Sequence, residues 1–552
     1  MINFKAYPNM TKCIIPNSIG GSFPINFRNM SNLQIVELPQ NAVLQSSSFR
    51  NCTNLTGKIF HGNSSVNITS AYENCYNLLG SPVCGNHVIN MANTYCNCRS
   101  LTGSAACGSN VTDMYCTYSG CYNLQEAACG PNVINMWRTY SSCKNITKAV
   151  CGPNVINMPH TYSSCDNLTE AACGPNVTAL YCTYQWCTNL QEAVCGSNVT
   201  DMSSAYANCY NLRVAACGNN VINMHSTYNK CRNLTEAVCG PNVISMGSFY
   251  PGMSSPEFRG TYAYCTNLTK AACGDSVTSM QCTYYYCINL TTAVCGPNVT
   301  DMCYTYGRCY NLTQAACGDS VVHMSNTYNS CSNLRKAICG SNVIYMDHTY
   351  NNCISLQEAA CGDNVTRMLN TYYNCVSLTK AVVGLNVTDM RGTYRNCTNL
   401  QEAVCGPNVT NMYYTYGSCT NLITPVCGPN VTNMTFAYIG CTNIKTAVCG
   451  ENVTSMFATY ANCYNLCGNA YFYSSGVHNA YNCFLGRNVS NMLNIYVSQN
   501  STTLNTLLKD SLVGSAPTWS SGISNDYFYN TLYNIYIYPV ENVVAAKAAN
   551  GD

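Results

Sequence analysis

Cysteine is the side chain best placed to do chemistry here, with forty-three copies in 552 residues. An odd count leaves at least one thiol unpaired within a monomer. Most copies fall into two columns. One runs Cys121, Cys143, Cys165, Cys187, Cys209 and Cys231, each 22 residues after the last, and resumes after a 12-residue insertion at Cys265, continuing to Cys463. The other is the series Cys129, Cys151, Cys173 and onward. Both columns read as inward-facing, where a free cysteine packs as a small hydrophobe. Disulfides between coils are disfavoured, because parallel stacking aims both Cβ atoms the same way. Val383 stands at one strand position of the second column, and a valine there packs without bonding. Cys116, Cys182, Cys282 and Cys303 lie outside the columns and read as candidate exposed thiols. The pairs Cys116/Cys121 and Cys282/Cys287 fall short of the four compact ligands of a zinc site, and the seven histidines are scattered. No metal or cofactor is expected.

Other chemistries find little support. Parallel solenoids can hold the paired carboxylates of a glycosidase, which makes a polysaccharide hydrolase the serious enzyme alternative. Here the acids recur as consensus positions or rows, without a unique cluster, and no nucleophile–base arrangement stands apart from the repeat. The glycines come once per coil in Cys-Gly-Pro-Asn turns, so no phosphate loop is present. Charged residues make up 9% of the chain at a net charge of +2, far from the basic stripe of a nucleic-acid binder. No apolar stretch is long enough for a membrane helix. The first residues, MINFKAYPNMTKCIIPNS, lack the apolar core of a secretory signal. A surface role is then expected to use another exit, such as assembly into a virion released by lysis, or the chain is trimmed.

The positioning elements follow from the period. After three copies at Cys52, Cys75 and Cys98, spaced by 23, the 22-residue spacing is strict. One coil from Leu124 reads LQEAACGPNVINMWRTYSSCKN, with recurring apolar positions Leu124, Ala127, Cys129, Val133, Met136, Tyr140 and Cys143. The opening Leu-x-x-Ala-x-Cys has the alternation of a short strand, and Gly130-Pro131-Asn132 turns the chain. A single coil cannot bury seven inward residues. Stacked coils align them in ladders, so stability is a nearest-neighbour sum. About twenty coils at ~4.8 Å per strand give a rod on the order of 90 Å long. The tyrosines at 140, 162 and 184 read as a core ladder with hydroxyls near the edge. Asn132, Asn123 and their equivalents read as bonding turn backbones. The many Asn-x-Thr triplets are more simply repeat consensus than glycosylation acceptors.

The motif resembles the BspA-like leucine-rich repeats, also called Treponema pallidum-type repeats. Leu33-Gln-Ile-Val36-Glu-Leu38-Pro39 and Phe49-Arg-Asn-Cys52-Thr-Asn-Leu55 carry the likeness best. Later coils look like a variant in which Ala and Cys replace the aliphatics and Thr-Tyr replaces Ala-Phe. The resemblance covers roughly residues 10 to 500. It implies a right-handed leucine-rich-repeat solenoid with a parallel β-sheet on one face, capped at both ends. Such repeats serve in adhesins, other surface proteins and phage proteins. Residues 1–32 are expected as an N-terminal cap, 33–500 as about twenty coils, and 501–552 as a C-terminal cap or attachment segment. That last segment contains a Leu-rich stretch near Leu504, an aromatic strand-like run from Tyr527 to Pro539, and a helix-like run from Glu541 to Ala549. Val-Thr-Asp-Met recurs at Asp113, Asp201, Asp301 and Asp389, four coils apart each time once the insertion is allowed for, which points to duplication in four-coil blocks.

The expected function is non-enzymatic adhesion or recognition of a cell-surface glycan or protein, at an extracellular or virion surface. Its candidate face has a small apolar row, Ala128, Val150, Ala172, Val194, Val238 and Ala272. Beside it runs a charged row, Glu126, Lys148, Glu170, Glu192, Glu236 and Lys270. A long apolar stripe with a charged border marks a contact surface. The insertion near residues 247–260 breaks the symmetry of the array and is the candidate binding loop, with Phe249, Tyr250, Met253, Glu257, Phe258 and Arg259. The setting that fits is a bacteriophage host-binding or decoration protein. The rival is structural, a rod whose apolar ribbon pairs copies into dimers or filaments. Neither nucleic acid nor membrane insertion is expected.

Overall fold

Backbone N–H groups bond both within a coil and to the coils on either side in the computed structural model. The structure describes residues 2–19, 21–57, 59, 66–82, 84–247, 260–510, 512–513, 519–521, 526–530 and 532–550. It divides into two compact units, Met1–Ser279 and Met280–Asp552. The first begins with β1 (Ile2–Asn3), β2 (Lys12–Ile14), β3 (Phe23–Asn26), β4 (Ile35–Glu37) and β5 (Ala42–Val43). β1, β3 and β5 pair in parallel, as do β2 and β4.

The second unit ends in a six-stranded sheet of order β6-β7-β8-β11-β10-β9. Its strands are β6 (Val448–Cys449), β7 (Gly468–Phe472), β8 (Leu493–Ser498), β9 (Ser520–Ser521), β10 (Phe528–Asn530) and β11 (Ile535–Val540). The sheet is parallel through β11, and β10 and β9 then add antiparallel. The Leu-rich stretch forms α1 (Thr502–Lys509), capped by the Ser501 side chain accepting from the Leu504 N–H. α2 (Val543–Ala549) is capped in the same way by Asn542.

Elsewhere the coils meet through single parallel bridges in two columns. One column, at the Asn-Val-x-x-Met segment, is unbroken from Asn67 to Ser279 in the first unit and from Asp301 to Asn479 in the second. The other, at Leu-x-x-Ala-x-Cys, pairs mostly two by two, as at Lys148–Glu170 and Glu192–Val214. The more regular ladder therefore lies on the segment that the sequence assigns to the return path.

The turn after Met136 has a simple rule. The N–H groups of Met136, Arg138, Tyr140 and Ser142 donate to Asn157, Pro159, Thr161 and Ser163 of the next coil, at 2.9, 3.0, 2.9 and 2.7 Å. Those of Thr139, Ser141 and Cys143 donate back three residues within their own coil. This alternation puts Arg138 (φ 56) and Ser142 (φ 64) in the left-handed region, at a cost on the order of 1 kcal/mol each. Cys182 and Trp186, or Tyr304 and Arg308, take the same pair of positions in their coils. Side chains so unlike one another share the conformation because the hydrogen-bond pattern imposes it.

Leu124, Val133, Met136, Thr139, Tyr140 and Cys143 are fully buried. Thr139 was not among the expected inward residues. Its hydroxyl donates to the Met114 carbonyl at 2.8 Å, which satisfies a polar group that would otherwise be costly inside. Ala127 and Cys129, expected inward, are half-buried. The strand alternation fails there because the backbone turns. One residue later in the repeat order, the Val150 N–H donates to the Tyr162 hydroxyl at 2.9 Å, and that hydroxyl donates to the Val150 carbonyl at 2.8 Å.

The thiol of Cys129 projects along the stack, onto Gly152 of the next coil. A Cβ on Gly152 would sit 2.9 Å from that sulfur and 2.9 Å from the Gly130 carbonyl oxygen. The ladder, more than the turn, demands glycine here. Val383 keeps the same contact, its Cγ2 lying 3.2 Å from where a Cβ on Gly406 would be.

The aromatic ladder changes type for a physical reason. It starts Phe4, Phe27, Phe49 and continues as Tyr72, Tyr95, Tyr118 and Tyr140, with neighbouring rings nearly parallel. In the second unit it ends with Tyr460 against Phe484. Phe472, twelve residues before Phe484, is paired in β7 and needs no hydroxyl. Val448, twelve residues before Tyr460, has its N–H and carbonyl bonded by the tyrosine. Tyrosine appears where a backbone turned inward needs a partner.

Candidate recognition surface

The thiols are spent on structure. No disulfide joins any of the cysteines among the described residues. In the Cys121 column sulfurs donate to carbonyls of the previous coil, as from Cys143 to Tyr118 and Cys165 to Tyr140, both at 3.1 Å. Burial pushes these thiols far up, Cys143 among them, so they stay protonated and unreactive. In the half-buried column, burial pushes Cys129 up to about 11. The off-column cysteines correct the expectation of exposed thiols: Cys116, Cys182 and Cys282 are buried and Cys303 is half-buried. They occupy the turn after Met114, Leu180, Met280 and Met302 of their coils. Among the described residues no group of three or more His, Cys, Asp or Glu converges to hold a metal ion, and no helix is long and apolar enough to cross a membrane.

The candidate face has two parts. Glu126, Lys148, Glu170, Glu192, Glu236 and Lys270 are exposed. Two pairs among them bridge coils: Lys148 with Glu170 at 2.8 Å and Lys270 with Glu236 at 2.6 Å. Both are solvated and open to screening by salt. Beside them Ala128, Val150, Ala172, Val194, Val238 and Ala272 are half-buried. Phe249, Tyr250, Met253, Glu257, Phe258 and Arg259 of the candidate loop lie outside the described residues.

A more exposed apolar row lies elsewhere. Ile89, Ile134 and Ile156 are each more than two-fifths exposed. With Asn110, Asn132 and Asn154 they line an open groove of about 540 Å³. The asparagines are pinned: Asn132 and Asn154 donate to the carbonyls of Ser109 and Pro131, both at 2.9 Å. Asn176 and Asn198, each followed by Val-Thr, use their amide nitrogens on Pro153 and Pro175, which supports reading these triplets as repeat consensus. In the second unit the same position holds Val322 and Ile344, then the exposed Thr388, Thr410 and Thr432, whose hydroxyls bond the coil before. The signal was present in the sequence as alternating Val-Ile and Val-Thr, which reads there as a trace of duplication.

The columns flanking the buried Thr-Tyr pair change from coil to coil. Trp137 lies edge-on to Tyr115 at 5.9 Å, and Tyr181 edge-on to His160 at 5.3 Å. In the second unit Tyr413, Tyr414, Phe436, Phe457 and Tyr481 form a run of touching rings. Next to them Arg367 pairs with Asp347, and Arg391 with Asp389.

The family model for the BspA type leucine rich repeat region matches in six copies, over residues 2–79, 88–213, 159–250, 259–379 and 369–490. The chain belongs to that family. Its parallel bridges and stacked coils are those of a leucine-rich-repeat solenoid. Among solved structures, this BspA-type chain is similar to a leucine-rich repeat protein from Bacteroides ovatus, at 15% identity over 71% of this chain and 84% of that one, TM-score 0.39. It is also similar to a leucine rich cell surface protein from Faecalibacterium prausnitzii, at 15% identity over 84% and 87%, TM-score 0.28. No curated protein matches it.

Proposed function

We propose that this BspA-type chain is a non-enzymatic adhesion and recognition protein that binds a cell-surface glycan or protein through its outward columns. The reading places it at an extracellular surface or on a virion, as a host-binding or decoration protein. The observation that carries it is the contrast between core and surface. Leu, Val, Met, Thr, Tyr and Cys recur inside nearly every coil, whereas the position after the methionine reads Trp137, Pro159, Tyr181, Ser203 and His225 in five successive coils, with Trp137 and Tyr181 exposed and Ser203 buried. A fixed backbone that displays changing side chains suits recognition, since binding groups concentrate on segments that a rigid scaffold positions. The candidate contacts remain the charged row from Glu126 to Lys270 with its half-buried neighbours, together with the insertion loop.

The test is binding of labelled full-length protein to intact bacterial cells, with and without residues 248–259. Saturable binding supports recognition, and its loss on deletion assigns the site to the loop. Absence of binding to every surface tried refutes the reading. A second reading, pairing of copies, is favoured by the isoleucine groove of the first unit. It requires a multimer in dilute solution that Ile134→Asn and Ile156→Asn dissociate.

A further inference from the structure

One outward row of the second unit runs Asn326, His348, Asn370, Gly392, Tyr414 and Phe436. All six sit in left-handed backbone, Gly392 at φ 62. Gly392 is the gap in this row. A pocket of about 200 Å³ opens here, bordered by Asn370, Arg391, Gly392, Arg395, Tyr413 and Tyr414. A Cβ on Gly392 would collide with the Asn370 side-chain oxygen, so the Asn370 carboxamide lies over the bare Gly392 backbone.

The charges around this pocket are unevenly paired. Arg391 grips Asp389 through Nε at 2.9 Å and Nη2 at 2.7 Å, and Arg367 grips Asp347. Arg395 is different. Its guanidinium carbon lies 4.5 Å from the Tyr414 ring centre and 5.8 Å from that of Tyr373. Among the described residues no carboxylate pairs with it. An arginine held between two rings keeps its charge and its planar fork of donors, and the partner that fork matches best is a carboxylate. Tyr413, 39% exposed, supplies a flat apolar surface beside it.

We propose that the pocket over Gly392 binds the carboxylated sugar unit of a glycan, with Arg395 pairing the carboxylate, Tyr413 packing on the sugar ring and Asn370 bonding a hydroxyl. This rests on the recognition reading and names its ligand class. The size fits one sugar ring, since pockets for drug-sized ligands begin near ~300 Å³. An acidic peptide side chain would leave the Tyr413 surface unused.

The experiment titrates the full chain with a panel of oligosaccharides containing hexuronate or other acidic sugars, and with the same compounds after carboxyl reduction, alongside binding to intact cells. The expected result is binding of an acidic member and at least ~10-fold weaker binding of its reduced form. Arg395→Gln should weaken binding ~10- to 100-fold. Gly392→Asn, which places in the gap the side chain that Asn370 carries one coil earlier, should abolish it. Asn370 can swing aside, and thermal melts of both variants check that the coils stay folded. Equal binding of acidic and reduced sugars, or undiminished binding by Arg395→Gln, overturns the assignment. So does binding of acidic peptides in place of sugars. Cell binding that survives both variants overturns this pocket and leaves the recognition reading standing. Failure to bind cells or sugars sinks both.

Discussion

Replacing Tyr162 by Phe isolates the function of the tyrosine hydroxyls. The ring stays, stacked 5.4 Å from Tyr140 and 5.7 Å from Tyr184, so no cavity opens. Only the hydroxyl goes, and with it the partner of both the Val150 N–H and the Val150 carbonyl. An orphaned buried polar group costs ~1–3 kcal/mol. Val150 is half-buried and water reaches it in part, so the low end of that range, about 1–1.5 kcal/mol, applies to each group, about 2–3 kcal/mol together. In a solenoid whose stability is a nearest-neighbour sum, a global melt dilutes a change in one coil. Amide hydrogen exchange reads it locally. Protection of the Val150 amide should fall by roughly 30- to 150-fold, since ~1.4 kcal/mol is a factor of ten, with smaller losses one coil away. Phe484→Tyr makes the converse point: the Phe472 backbone is already paired in β7, so the added hydroxyl should gain no protection. Unchanged Val150 protection in Tyr162→Phe would refute the claim that the hydroxyls hold the inward-turned backbone.

Alkali should unfold the chain from about the ordinary thiol pKa upward. Burial pushes Cys397 and Cys441 up to about 12 from 9.0. The folded state therefore keeps protons that the unfolded state releases. Their stabilisation is complete below 9.0 and is lost toward 12, at ~1.4 kcal/mol per pH unit for each thiol. Circular dichroism against pH measures this, and a fold intact at about pH 11 would contradict it. Gly152→Ala should cost about 1–3 kcal/mol by overpacking against the Cys129 sulfur and the Gly130 carbonyl. Adding Cys129→Ala should recover part of that loss in a double-mutant cycle, whereas strict additivity would deny the contact. A thiol alkylating reagent should spare the Cys121 column in native protein, label the half-buried Cys129 column slowly and reach every thiol in denaturant. Mass spectrometry of the peptides decides this, and rapid native labelling of Cys143 would refute the buried ladder.

The period, the stacking and the family were legible because 22-residue spacing leaves few alternatives for a chain this apolar. Leu124, Val133, Met136, Tyr140 and Cys143 were identified as inward for the same reason. The reading faltered where the backbone stops being a strand. Strand alternation put Ala127 and Cys129 inside, but the turn at Ala128 and the approach of the Cys129 sulfur to Gly152 leave both half-buried. Thr139 was left out of the inward set, because nothing local shows that its hydroxyl finds the Met114 carbonyl a coil away. Cys116, Cys182 and Cys282 looked exposed because their place outside the two columns is plain in the sequence, while their burial is not.

The misreading of Cys116, Cys182 and Cys282 shares one cause with the proposed sugar pocket. The alternating hydrogen bonds after each methionine force two residues per coil into left-handed backbone whatever their side chains. That row is then free to carry Arg, His, Cys, Tyr or Asn, and its identity cannot be inferred from the core. Gly392 is conformationally unremarkable there, since left-handed backbone is what glycine adopts most readily. What matters is the absence of a side chain at Gly392, between Asn370 and Tyr414, beside an arginine with which no carboxylate pairs among the described residues. Superposing the coils in sequence, column by column, would have exposed that gap. In a protein built from repeats, a candidate site is found by where the consensus is broken without the backbone being broken.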